Sequence, residues 1–226
     1  MESSTESLES PRTTVRRMPK RGAYDRATIE SILDEGLICH LGFAVDGQPY
    51  VLPTIYARVG GEVLLHGSAA SRMLRALGDG VAMCLTVTLL DGLVLARSAF
   101  HHSVNYRSAV LLGTARAVLD NDEKTRALRA IVDHVLADRW QAVRVPNEQE
   151  LKATTVLALS LSEASAKIRT GGPIDDEEDY ALPIWAGHLP LALVAGVAVP
   201  DTRLTAGIPI PAGLAGYRRP QRNGGR

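Results

Sequence analysis

The chain has 226 residues, 46% of them hydrophobic and 22% charged, which is enough apolar material for one domain with a sizeable core and excludes disorder over the whole length. Its 25 Lys and Arg residues balance 25 Asp and Glu residues, so no net positive charge is available to hold a polyanion and no nucleic acid is expected as a partner. Cys39 and Cys84 each lie in an apolar run, which argues against a disulfide framework or a four-thiolate zinc site and fits a reducing, cytoplasmic setting. The first residues lack the basic-then-apolar pattern of a secretory leader, and the apolar stretch Leu189 to Val199 is interrupted by Pro190 and too short for a bilayer, so no membrane span is expected.

Residues 1–20 carry no periodic apolar face and read as a flexible arm, 21–199 as the ordered domain, and 200–226, rich in Pro, Gly and Arg, as a flexible tail. Asp25 can cap a helix whose Ile29, Ile32 and Leu33 share a face before Gly36 ends it. Leu37 to Ala44 and Tyr50 to Val59 flank Asp46-Gly47, a pair suited to a two-residue hairpin turn, and Gly60-Gly61 leads to a third strand over Glu62 to His66. A short helix is expected from Ala70 to Leu77, then a second hairpin in which Val81 to Leu89 and Leu93 to Arg97 meet across Asp91-Gly92. Tyr106 to Leu119 reads as one long strand. Asp120 or Asn121 caps a helix ending near Asp138 with the stripe Leu128, Ile131, Val132 and Val135, and Thr155 to Leu161 is the last strand. The pattern is mainly β with flanking helices, six or seven strands joined by tight antiparallel turns, and it favours a closed or half-closed barrel over a doubly wound sheet.

The run from Leu64 to Leu74 passes from an apolar strand through His66-Gly67-Ser68 and Ser71-Arg72 into a helix. Two hydroxyls and a forked guanidinium beside free backbone amides suit a phosphate, although Ser68 as a plain cap and Arg72 as a surface side chain would satisfy the same pattern. His40 alternates with Leu37, Cys39, Leu41 and Phe43 and so faces away from them, which makes it a candidate proton donor. His101 and His102 are adjacent, not ligand-spaced, and no metal site is expected. Serine-hydrolase, dinucleotide and P-loop signatures do not occur. The acidic run Asp175 to Asp179 reads as a solvated loop.

Pro53-Thr54-Ile55-Tyr56, His66-Gly67-Ser68 with Arg72, and Asn105-Tyr106-Arg107-Ser108 together resemble the FMN-binding split-barrel family, which includes the pyridoxamine 5'-phosphate oxidases. With Arg21 to Asp25 and Cys39-His40-Leu41-Gly42 added, the chain is most similar to the nitroimidazole-reductase-like, flavin-nucleotide-binding branch, over about residues 20–200. The resemblance implies a six- to seven-stranded antiparallel split barrel that forms a homodimer with FMN at the subunit interface. It places Ser68, Ser71 and Arg72 on the phosphate, with His66 of the same motif at the cofactor. It sets Pro53, Thr54, Ile55 and Tyr56 along the isoalloxazine ring, Tyr106, Arg107 and Ser108 beside it, and His40 as the catalytic residue. The implied activity is an FMN-dependent oxidoreductase acting on a small electron acceptor or donor. The alternative is a non-catalytic flavin or haem protein in which His66, His101 or His102 reaches iron. Pyridoxamine phosphate oxidation is less favoured, because Leu182 to His188 lacks the arginine pair of that substrate segment.

Overall fold

The Asp25 carboxylate accepts a 2.9 Å hydrogen bond from the Thr28 amide, satisfying one of the free donors at a helix start. The helix it begins, α1 (Arg26–Glu35), buries Ile29, Ile32 and Leu33 completely. The computed structural model describes residues 6–218. The remaining elements are strands β1 (Gly22–Ala23), β2 (Ile38–Val45), β3 (Gln48–Val59), β4 (Glu62–Ser68), β5 (Met83–Leu95), β6 (Ser103–Gly113), β7 (Ala115–Ala117), β8 (Thr154–Ser160), β9 (Ala164–Arg169) and β10 (Gly187–Pro190), and helices α2 (Arg72–Gly78), α3 (Asn121–Val135), α4 (Glu148–Ala153) and α5 (Ala212–Ala215).

Every strand pairing is antiparallel, in the order β1-β9-β6-β5-β2-β3-β4-β8-β7, with β10 added to β5. Two half-sheets share the long β3, whose first part pairs β2 up to Ile55 and whose second part pairs β4 from Tyr56. The β6–β7 and β8–β9 connections also pass from one half to the other. With the β4–β5 connection, these crossings wrap the halves around one core built on Leu41, Leu65, Leu85, Leu111 and Leu157, which is the split-barrel arrangement. Helix α3 lays Ala127, Leu128 and Ile131 on the outside of the smaller half, against Leu64, Val156 and Ala158.

The Asp46-Gly47 hairpin forms as expected, with φ of 52° and 77° at its two central residues. The Asp91-Gly92 turn does not. β5 runs straight through it with a bulge, and Gly92 keeps an ordinary φ. Asp91 is instead held by Arg107 at 2.8 and 2.9 Å, and Gly92 admits β10, since a side chain there would meet the Leu189 carbonyl at 2.8 Å. The expected long strand from Tyr106 to Leu119 is two, starting at Ser103 and broken at Thr114 where the chain changes half-sheets. The strands number ten, because β1, β9 and β10 form where partners distant in sequence supply the pairing.

Residues ahead of Pro19 lie on the barrel: Leu8 is buried, donates to the Tyr24 carbonyl and accepts from Ala164, while Arg12 pairs with Glu163. Of the acidic run, Asp175 is buried and holds Arg97 at 3.0 Å, whereas its neighbours Asp176, Glu177 and Glu178 are exposed. No helix among the described residues is long and apolar enough to cross a membrane.

Gly36, just after α1, is the tightest point of the core. A β-carbon there would lie 2.4 Å from Val87 Cγ1 and 2.6 Å from the Tyr56 hydroxyl, which itself donates to the Leu33 carbonyl at 2.6 Å. Gly36→Ala is therefore expected to cost about 1–3 kcal/mol, lowering the thermal midpoint by several degrees; scanning calorimetry of the two proteins measures it.

Candidate functional site

Strand register decides which side chains can meet. Opposed residues of antiparallel strands share a face, and His40 stands opposite Pro53 on one side and Thr86 on the other, with Thr86 opposite Val110. Ile38 with Ile55, and Leu90 with Tyr106, extend the same outward face, and Ser108 lies opposite Thr88 and Lys167. His40, Pro53, Ile55, Tyr106 and Ser108 thus occupy one face of the larger half-sheet. Among the described residues no element packs over its middle: Ile38, Val51, Ile55 and Leu90 are exposed. A shallow cleft of about 450 Å³ opens on the same face two residues beyond His40, with Gly42, Cys84 and Leu112 as neighbours in one row.

Thr54 and Tyr56 point to the opposite side of β3. Thr54 stands across from buried Cys39, and Tyr56 is fully buried with its hydroxyl on the Leu33 carbonyl. Arg107 is enclosed by Glu35 (2.5 and 2.8 Å) and Asp91, and these two carboxylates raise its guanidinium pKa further above its ordinary value. Its donors are spent on them.

The corner between β4 and α2 carries Ser68, Ser71 and Arg72. The cap is Ser71, whose hydroxyl accepts from the Leu74 amide at 3.4 Å, while the Ser68 hydroxyl accepts from Ala70 at 3.2 Å. Both hydroxyl hydrogens stay available to donate outward. Arg72 makes no ion pair among the described residues. Its guanidinium lies 5.0 Å from the centroid of the Tyr50 ring, which stacks on Phe43 at 5.5 Å. An exposed guanidinium with a ring beneath it and no carboxylate is free to take an incoming anion.

His66, on β4 one residue before Gly67, turns to the other side and sits under α3. It lines a cavity of about 290 Å³ with Leu128, Val132, Trp140, Val143 and Arg144. Its Nδ1 is buried without a hydrogen-bond partner, and burial pushes its pKa below the ordinary 6.5. Burial thus favours the neutral imidazole, the form in which histidine ligates a metal or accepts a proton, in a wall that Arg144, Glu150 and Thr154 share with the apolar residues. His101 is 3.2 Å from Asp176, and His102 Nδ1 bonds the Ser98 carbonyl at 2.9 Å. Among the described residues no three His, Cys, Asp or Glu side chains converge on a metal-sized site. Burial raises the Cys39 thiol to about 12, so it is no nucleophile.

Two contacts escaped the sequence, the Tyr50 ring beneath Arg72 and the pairing of Arg169, a residue the sequence offers as a neighbour of the phosphate or of a second subunit, with Asn105. Tyr50 under Arg72 was hidden because stacking depends on the β2–β3 register. Arg169, opposite Tyr106, is 6% exposed and donates only to Asn105 and to the Gly171 and Gly172 carbonyls, with Nε unpartnered; burial and nearby Arg21 lower its pKa. The pairing of Asn105 with a residue on another strand has no signature in spacing.

Residues 25–168 match the family described as pyridoxamine 5'-phosphate oxidase, and the chain belongs to that family. It is similar to the flavocytochrome Anf3 from Azotobacter vinelandii, with 42% identity over 94% of this chain and 99% of that one and a TM-score of 0.88. A FAD and haem binding protein from Mycobacterium smegmatis is 36% identical over 87% of this chain and 96% of its own, TM-score 0.83. A protein proposed to act in 5-nitroimidazole antibiotic resistance in Bacteroides thetaiotaomicron, 23% identical over 65% of this chain and 86% of its own with a TM-score of 0.54, shares the fold. Comparison with curated proteins returned no match.

The His66 environment has a pH consequence. Its folded pKa lies below the unfolded value near 6.5, so as pH falls through that window the unfolded state binds the proton first and stability declines. In urea unfolding, His66→Leu is expected to flatten this decline below about pH 6.5 relative to the parent, leaving the slope at higher pH unchanged.

Proposed function

We propose that this protein binds a flavin and a haem and passes electrons to or from a small molecule. The observation that carries this reading is the 42% identity, over nearly the full length of both chains, to a flavocytochrome. The 36% identity to a FAD and haem binding protein supports it and shifts the flavin from the FMN of the initial expectation towards FAD.

The donor sets fit both groups. When bound, a flavin exchanges one or two electrons and a haem one, so the redox chemistry is the cofactors' and the chain supplies binding and orientation. Arg72 would neutralise the flavin phosphate with a charge-assisted bond while Ser68 and Ser71 donate their hydroxyl hydrogens to it. His66 offers an imidazole whose Nδ1 has no hydrogen-bond partner, beside Leu128, Val132 and Trp140, and would be the candidate iron ligand; Arg144 in the same wall is held by Glu150 at 2.6 and 2.9 Å. His40, on the open face, would hold or deliver the proton that accompanies reduction of a substrate such as a nitroaromatic.

The same open face supports a homodimer. Ile38 (51% exposed), Val51 (66%) and Leu90 (51%) lie on a strand surface that a soluble monomer would not leave bare, and a second copy would close it over the cofactors. A cytoplasmic location accords with two free cysteines. Pyridoxamine phosphate remains disfavoured as substrate, since no arginine pair occurs between Leu182 and His188.

Absorption spectra of the full chain reconstituted in turn with FMN, FAD and haemin test the reading. Stoichiometric flavin and Soret bands are expected, with FAD bound more tightly than FMN; a chain that binds neither flavin nor haem contradicts it. Arg72→Ala should weaken flavin binding about ten- to a hundredfold, or about 1.5–3 kcal/mol, with the Soret band intact. Unchanged flavin affinity removes Arg72 from the site.

A further inference from the structure

Beyond β9 the chain is tied down as far as Leu191 and then released. Asp175 holds Arg97, the Arg97 guanidinium lies 5.0 Å from the centroid of the Tyr180 ring, β10 pairs with Gly92 to Leu95, and the Leu191 amide donates to the Asp91 carbonyl at 3.0 Å. From Ala192 to Pro211, every backbone hydrogen bond found among the described residues is local to the segment. At Gly213 the chain lies beside the end of α3, where a β-carbon would be 3.9 Å from the Ala137 carbonyl.

This released arm is as apolar as a core strand. It reads Ala-Leu-Val-Ala-Gly-Val-Ala-Val from residue 192 to 199, without a charge, yet Val194 is 82% exposed, Val197 94% and Val199 89%. Leaving such a run in water forgoes the stabilisation that burial of its large side chains would give. None of residues 192–211 is buried in the chain's own core, and all are exposed except the half-covered Ala198. Its twenty residues, extended, reach about 65–70 Å, whereas a domain of this size is about 40 Å across. A strap of that length, fixed at its root and apolar along its middle, has the dimensions to pass over a neighbouring domain.

We propose that residues 192–211 form an exchanged arm that clasps a second copy of this chain, its valines packing on the partner's surface and extending the interface begun by Ile38, Val51 and Leu90. This rests on the dimer proposed above and adds to it the segment that locks the two copies. A second copy is the occupant the observations favour, because the chain carries two apolar surfaces it does not cover itself, the arm and the sheet face, and twofold assembly buries both at once.

The test is sedimentation velocity of the full chain and of Val197→Asp/Val199→Asp, with amide exchange of residues 193–199 followed across a dilution series. The parent should be a dimer, the variant's dissociation constant should rise by about a hundredfold or more, and exchange at 193–199 should be slow in the dimer and accelerate as dilution separates it. A parent that is monomeric at every concentration overturns the dimer and the arm together. A dimeric parent with an equally tight variant and fast exchange at 193–199 overturns the arm alone. Protection that appears in a monomer on adding flavin or haemin assigns the arm to a cofactor and overturns it as well.

Discussion

One strand serves two half-sheets, and the residue at which it changes partners is fixed by a buried hydrogen bond. β3 leaves β2 after Ile55 and joins β4 at Tyr56, whose hydroxyl is anchored on the Leu33 carbonyl beside Gly36, where a β-carbon would force its neighbours to move. Because side chains alternate along a strand, a slip of one residue at this point would turn His40 and Pro53 inward and Cys39 outward. The open face, the cleft beside it and the phosphate corner at the end of β4 all inherit their positions from that register. The anchor is redundant: His134 Nε2 bonds the Gly36 carbonyl at 2.7 Å and its ring lies 5.2 Å from that of Tyr56, tying α3 to the same point.

What local chemistry controls was legible in the sequence. Asp25 and Asp120 cap their helices, Asp46-Gly47 turns its hairpin, and the alternation around His40 gives the correct outward direction. What depends on distant partners was not. Asp91-Gly92 has the composition of a turn, but Arg107 takes the carboxylate and β10 takes the space over the glycine. β9 forms because β6 supplies its ladder, and Asp175 is buried because Arg97 waits for it 78 residues away. The site divides in the same way. The direction of His40 follows from period two, and Ser71-Arg72 from a strand-to-helix junction. The enclosure of Arg107 by Glu35 and Asp91, and of His66 by α3 and Trp140, follows only from tertiary packing.

The chemistry of the chain is sparse where that of a hydrolase would be dense. The buried Cys39 thiol is held protonated, and no three His, Cys, Asp or Glu side chains converge on a metal-sized site among the described residues. Among the described residues it presents a guanidinium over an aromatic ring without an ion pair, an imidazole whose buried Nδ1 has no partner and a broad uncovered sheet face. Each would be a cost without a ligand or a partner, which the proposed flavin, haem and second copy would supply.

Anaerobic rapid mixing of the doubly loaded protein with a reductant of flavins tests the central claim most directly. If the proposed flavin and haem are both held and the reductant reaches the haem by way of the flavin, bleaching of the flavin band should precede the Soret shift, and the shift should slow markedly when haem alone is loaded. Haem reduction at the same rate with and without flavin, or failure of the chain to hold the two together, would contradict it.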